Sequence, residues 1–249
     1  LTDLLTPAWR WVFYVTAPLA ILAAIYVWAA APGWDVEPGS SRLDGLGAVL
    51  FSVALTSGLL AVTLIGDEPG DLPVIPIATL IAIVSGVLAV RHMLRTPEPF
   101  LDLHLFRDRV FSGAVLVSLL TGYALATAIV GMAAFIDRVR FAGPDEQGVV
   151  LGPMALFMAI GAFLSGLLVR RFDATTVTLV GLAASVVGLL WLSTTRIDTE
   201  LWIPVASLSL FGLGFGLTVT PRSMAAVEAA GRDAFGAASA AVTVGRMAG

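Results

Sequence analysis

Arg246 stands inside the closing stretch AASAAVTVGRMAG, residues 237–249, which is otherwise small and apolar. It lies roughly eleven residues into a run that begins near Phe235, about 17 Å along a helix rising ~1.5 Å per residue. That depth is close to the middle of a bilayer. A central Arg there costs at least about 2.5–3.5 kcal/mol, so it must face other helices or a water-filled cavity. Two chemistries fit: a buried ion pair joining two helices, or a cation facing a substrate or gate. The second is the expectation; no mid-membrane Asp or Glu occurs in the chain, so the counter-charge is expected on helices outside it. Asp137 comes nearest, at the outer end of the fourth apolar run, where it is expected at the interface beside Arg138 and Arg140 or a closing gate.

Other chemistry is thin. His92 and His104 are isolated from carboxylates at ligand spacing, so they are not a metal site. No Ser-His-Asp set and no phosphate-binding loop is present, which excludes those hydrolytic chemistries and ATP-driven work by this chain. Gly212, Gly214 and Gly216 in FGLGFGLTVTP sit inside an apolar run, without the preceding strand that a dinucleotide fingerprint needs. Gly212 and Gly216 read instead as a small-xxx-small face for close helix approach, with Pro221 loosening the helix near its inner end. Gly161 with Ser165, and Gly181 with Ser185 and Gly188, read likewise.

These residues need elements to position them, and composition says which. The 249 residues are 58% hydrophobic and 13% charged, against about 25% charged in soluble domains. Lipid must therefore be part of the solvent. There is no cysteine, every basic residue is arginine, and the net charge is −4 with no basic stripe, so nucleic acid is not a partner. Eight apolar runs are membrane-length or nearly so: 11–31, 46–66, 72–90, 110–136, 148–169, 174–195, 201–221, and one from Phe235 onward. They are continuous rather than alternating, so they are helices and not barrel strands. Arginine accumulates on the cytoplasmic side of membrane proteins. With the first helix running inward, nine arginines (42, 91, 95, 107, 109, 170, 171, 222, 232) fall in inner loops and four (10, 138, 140, 196) in outer ones. The acidic turn GDEPGD, 66–71, is then outside. In PEPFLDLHLFRDR, 97–109, Pro97 and Pro99 stop the preceding helix. Phe100 and Leu103, with Leu101, Leu105 and Phe106, offer an apolar face to the inner membrane surface, and the segment reads as an anchoring connector.

The order of motifs resembles the fourteen-helix drug:proton antiporters of the major facilitator superfamily. LTDLLTPAWRWVFYVTAPLAIL is similar to the entry of that family's sixth helix, through Trp9, Arg10, Trp11, Phe13, Tyr14 and Pro18, with Thr16 where Asn is usual. RLDGLGAVLF resembles the start of its two linker helices, matched by Arg42, Asp44 and Gly47. PFLDLHLFRDRVFSGA resembles a further family run, matched by Leu101, Asp102, Leu105, Phe106, Arg107, Arg109 and Phe111. GLGFGLTVTP resembles its twelfth helix. The resemblance implies an all-α integral membrane bundle, here partial with about eight transmembrane helices, numbers six to thirteen of the family. It implies the last helix of an N-terminal bundle in 1–32, two linker helices in 33–96 and an incomplete C-terminal bundle in 97–249. The absence of an initiating Met and the end within an apolar run agree with a fragment.

Two departures stand out. The family's loop motif Gly-x-x-x-Asp-Arg-x-Gly-Arg keeps Gly166 and Arg171 here, but Arg170 replaces the Asp and Asp173 the second Gly, so that latch is degenerate. The closing stretch resembles the mycobacterial branch that exports triacylglycerides with a lipoprotein partner, where an Arg at the Arg246 position is implicated in the transport cycle. That branch carries acidic residues in the helix matching 110–136, where this chain has the apolar GMAAF. The resemblance thus implies a non-enzymatic, multi-pass protein of the bacterial inner membrane without cofactor. It would export amphipathic or drug-like compounds by alternating access in exchange for protons. Lipid export with a lipoprotein is the alternative, and a non-transporting membrane remnant is the third reading.

Overall fold

The structure is a computed structural model that describes residues 9–30, 44–65, 74–97, 99, 101–231 and 235–249. Among the described residues there are eight α-helices and no strand. They are α1 (Trp9–Ala30), α2 (Gly45–Ile65), α3 (Val74–Met93), α4 (Arg109–Arg138), α5 (Pro144–Leu168), α6 (Ala174–Leu192), α7 (Trp202–Ala230) and α8 (Phe235–Ala248), with a 3-10 turn at Leu103–Arg107. Helices α2 to α7 are each long and apolar enough to cross a membrane. The chain divides into two units, Leu1–Arg42 and Leu43–Gly249. In the first, α1 runs unbroken through Pro18.

Helix ends follow local chemistry. Asp108 accepts the N–H groups of Val110 and Phe111 at 2.8 and 3.0 Å and starts α4. Pro144 opens α5 with Asp145 and Glu146 in its first turn, where carboxylates face the positive helix end. Asp173 caps α6 by accepting from Thr175 and Thr176. That contact explains why an Asp suits a place where the family pattern has Gly. Gly231, at φ 79°, closes α7 in a conformation that favours glycine.

In the second unit α7 is the hub. Of its span 61% is buried, against 6–28% for the other five candidate spans. Its glycines are the reason. Residues two apart on a helix point to nearly opposite sides and residues four apart share a side. Gly212 and Gly216 therefore meet α5, so that a Cβ on Gly216 would lie 2.7 Å from the Ala162 nitrogen. Gly214 meets α6, where a Cβ would lie 2.5 Å from the Gly181 oxygen and the Ser185 nitrogen. Gly161, Gly181 and Gly188 supply the matching gaps on the partner helices.

The seventh helix departs from its expected end. The apolar run stops at 221, yet α7 continues through Pro221 to Ala230. Proline removes the N–H that would bond the carbonyl four residues back. That carbonyl, Leu217 O, instead accepts the hydroxyl of Ser165 from α5 at 2.9 Å. Beyond the proline, RSMAAVEAA is rich in strong helix formers.

Two apolar clusters hold the unit. One joins Ala89, Met93, Leu101, Phe111, Ala114, Ala226, Ala238, Ala241 and Val242. The other joins Ala128, Met132, Ile136, Val150, Met154, Leu208, Phe211 and Phe215. The 97–109 connector contributes to the first: Leu101 is buried and Leu103 and Leu105 pack against it. The expected membrane-facing side of this segment thus turns largely inward. Phe106 stays exposed, stacked edge-on against Phe111 at 5.1 Å. Phe100 lies outside the described residues.

Candidate functional site

The two apolar clusters sit toward opposite ends of α4 and α7 and leave a polar layer between them. On α4 it holds Ser118, Thr121 and Gly122; on α7 it holds Thr218 and Arg222. Ser118 and Thr218 are fully buried and bond their own helices, Ser118 to Ala114 O and Thr218 to Phe215 O. A hydroxyl in a membrane helix has that local option.

Arg222 is the decisive member. Sequence charge counting assigns it to an inner loop. The structure corrects this: the residue belongs to α7 and is 3% exposed. The cause is the helix that continues past Pro221, which returns residue 222 to the bundle. Its Nη1 donates to Thr121 Oγ1 across the α4–α7 interface at 2.5 Å. Thr121 donates its own hydroxyl to Val117 O at 2.7 Å. The Nε of Arg222 is buried and has no acceptor in the protein among the described residues. Helical side chains lean toward the helix N-terminus, which carries this guanidinium deeper into the span.

Arg246 reaches the same place from α8. It is half-buried, and its backbone packs on Gly122, the neighbour of Thr121. A Cβ on Gly122 would lie 2.8 Å from the Arg246 carbonyl carbon, against backbone that cannot rotate away. Gly245 approaches Val115 and Ser118 in the same manner, so α8 runs parallel to α4. Arg222 and Arg246 thus stand on two helices that pack against the Thr121–Gly122 segment of α4. Among the described residues neither has a carboxylate partner; the ion pairs present involve His92, His104 and Arg140. A cleft of about 200 Å³ opens on the other side of Thr121, lined by Leu120, Ala124, Ser185, Leu189, Phe211 and Phe215 among others.

The remaining sequence candidates lie elsewhere. Asp137 is exposed at the end of α4 and pairs with neither Arg138 nor Arg140. Arg140 turns to Glu146 at 2.6 Å and donates to the carbonyls of Ile197 and Thr199, tying the α4–α5 and α6–α7 loops together. Asp44 caps α2 through Gly47 N–H and meets His92 Nε2 of α3, both at 2.8 Å. His92 thus has the carboxylate partner that sequence spacing did not reveal. Asp102 caps the 3-10 turn by accepting His104 N–H at 2.9 Å, and that bond holds its carboxyl below the ordinary 3.8. Arg107 and Arg171 are exposed, and Gly166 has no neighbour where its Cβ would be. Trp9 and Arg10 belong to α1, but their side chains, like Arg42, Arg232 and the 66–71 turn, lie outside the described residues. Among the described residues no group of acidic residues and histidines is placed to hold a metal ion.

Known proteins resemble the chain over nearly its whole length. The uncharacterized transporter YebQ of Escherichia coli is 29% identical over 97% of this chain and 53% of its own length. The multidrug transporter protein MdtP of Bacillus subtilis is 27% identical over 92% of this chain and 42% of its own. A triacylglyceride transporter of Mycolicibacterium smegmatis is 30% identical over 97% of this chain and 45% of its own. The chain thus spans about half the length of the curated relatives it matches. The Major Facilitator Superfamily model matches residues 1–249, and with six membrane-length helices beneath that match the chain belongs to this superfamily as a multi-pass membrane protein.

Proposed function

We propose that the chain is the central and C-terminal-side part of a secondary transporter that exports amphipathic compounds across the bacterial inner membrane, driven by proton exchange. The observation that carries this is the layer at mid-span where Arg222 and Arg246 meet Thr121 and Gly122 between two apolar clusters. A cation without a carboxylate in hydrocarbon is expensive, and such residues mark transport paths. Its helices pack through glycine faces, which suits segments that rock as rigid bodies in alternating access. In this reading 1–32 ends an N-terminal bundle, 33–96 links, and 97–249 belongs to the C-terminal bundle, with the Arg109 end of α4 inside. A lipid substrate is the second reading. It is favoured by the two mycobacterial triacylglyceride transporters, 30% and 31% identical to this chain, and would bring a lipoprotein partner.

The test is flux in proteoliposomes made with the complete gene product. Arg246→Ala is expected to insert normally and to abolish movement of a fluorescent amphiphile. Normal flux by that variant would return Arg246 to a structural role. Flux indifferent to an imposed pH gradient would reject proton coupling. Preference for a fluorescent triacylglyceride over drug-like dyes would select the lipid reading, and no flux of either would select the non-transporting remnant.

A further inference from the structure

We propose that the Arg138 end of α4 carries a membrane-surface anchor. Arg140 holds Phe141 in a left-handed turn, and the phenyl ring lodges at the boundary between lipid headgroups and acyl chains. The proposal goes beyond the transport reading and does not rest on it. The first observation is the backbone of Phe141. Its φ of 53° lies in the left-handed region, where a bulky side chain is crowded and glycine or asparagine is the ordinary occupant. Both neighbours fix it there. Arg140 donates through Nε to Glu146 Oε1 at 2.6 Å and through Nη1 to the carbonyls of Ile197 and Thr199 at 2.9 and 3.1 Å. Ala142 donates its N–H to Ile136 O at 3.1 Å and packs against the second apolar cluster. Backbone strain of this kind persists where the surroundings over-determine it, and it points to a use for the side chain.

The surroundings of the turn say what that use is. Phe141 is 86% exposed, more than any other large apolar side chain among the described residues. Val139 precedes Arg140, Ile197 is bonded to it, and both are exposed. Trp202, on the same loop as Thr199, is exposed too; its indole N–H is satisfied by Glu200 Oε2 at 2.7 Å and its ring meets Trp191 edge-on at 6.4 Å. Asp137, Arg138, Asp145 and Arg196 are exposed around these two loops and give them charges of both signs. Depth fixes the partner. α4 has 30 residues, about 45 Å at ~1.5 Å per residue, against about 30 Å of hydrocarbon. Its ends therefore reach headgroup level. Phe141 stands just past one of them, at the end of the bundle where α6 finishes and α7 begins. Aromatic rings flanked by polar groups belong in that zone. The occupant is thus the phospholipid bilayer itself, continuous with the lipid around the exposed faces of the spans.

Depth measurement in phosphatidylcholine vesicles tests this. The chain has no cysteine, so a nitroxide is placed on Phe141→Cys in the complete gene product, with any cysteine outside this chain replaced by serine. Dissolved oxygen, which concentrates in lipid, is expected to relax that label roughly threefold more, relative to an aqueous nickel complex, than the same label on the exposed Asp145→Cys. Adding Arg140→Gln should shift the label at 141 toward the nickel complex. Phe141→Trp keeps a ring at the site, and its added emission should be quenched by lipid brominated near the carbonyls rather than by aqueous iodide. A label at 141 as open to nickel as the one at 145 overturns the anchor. Shielding from both reagents overturns it too, because protein would then cover the ring. An oxygen preference unchanged by Arg140→Gln overturns the part assigned to Arg140, and added tryptophan emission quenched by iodide overturns the placement of the ring.

Discussion

Replacing Ser165 by Ala removes the hydroxyl that satisfies Leu217 O, the carbonyl left without its helical donor by Pro221. Ser165 is fully buried, and its hydroxyl donates at 2.9 Å. Interhelical hydrogen bonds in membrane proteins average about 0.6 kcal/mol and reach about 1.7, the low mean arising because most groups find other partners. Here the alternative donor is absent by covalent structure, so the loss should lie near the upper end, about 1–2 kcal/mol, as for an orphaned buried acceptor. Pro221→Ala returns an N–H at that position. In its background Ser165→Ala should then cost less than about 0.5 kcal/mol, which makes the coupling about 1 kcal/mol, well beyond the ~0.3–0.5 that independent sites show. SDS-driven unfolding from bicelles, followed by tryptophan fluorescence, measures all four proteins. Additive losses would refute the argument that this hydroxyl stands in for the missing N–H.

Three further outcomes follow from the same packing. Gly122→Ala should lower the melting temperature by about 2–12 °C relative to Gly131→Ala, which meets nothing within 4 Å; overpacking costs about 1–3 kcal/mol and each shifts a domain of this size by about 2–4 °C, and equal melting would show that α4 and α8 do not touch there. Arg140→Gln should speed amide exchange across residues 195–201, whose carbonyls at Ile197 and Thr199 it holds, whereas Glu146→Gln should leave that loop slower than Arg140→Gln does. Asp102 has a folded pKa held below 3.8, so its capping contribution is present above that value and fades as pH falls through the depressed one; the protection factor of the His104 amide, its exchange relative to the intrinsic rate at each pH, should fall on acidification below about pH 4 in the wild type and stay constant in Asp102→Asn.

How much was legible in the sequence differs by element. Helices α2 to α7 follow from unbroken apolar length, because hydrocarbon leaves the backbone no other partner than itself. The close approach at Gly212 and Gly216 is a matter of spacing on one face, and that too is local. The position of Arg246 within its helix was equally plain, since counting residues measures depth. Asp173 as a cap is local chemistry as well, although only the folded loop displays it.

Arg222 shows where local reading stops. Hydropathy ends at Pro221, and an arginine after a proline at the end of a span counts as a loop charge. Whether the helix survives that proline depends on a donor 52 residues away in α5, and sequence spacing says nothing of which hydroxyl will lie opposite a freed carbonyl. Arg140 is similar: its choice of Glu146 and two carbonyls over Asp137 is made by the meeting of two loops. The sequence by itself determined the solvent, the helices and their small-residue faces, because burial in lipid and residue size act within one helix. Tertiary structure alone decided which polar groups share a layer, because a hydrogen bond or a charge pair acts over a few ångströms and is blind to separation along the chain.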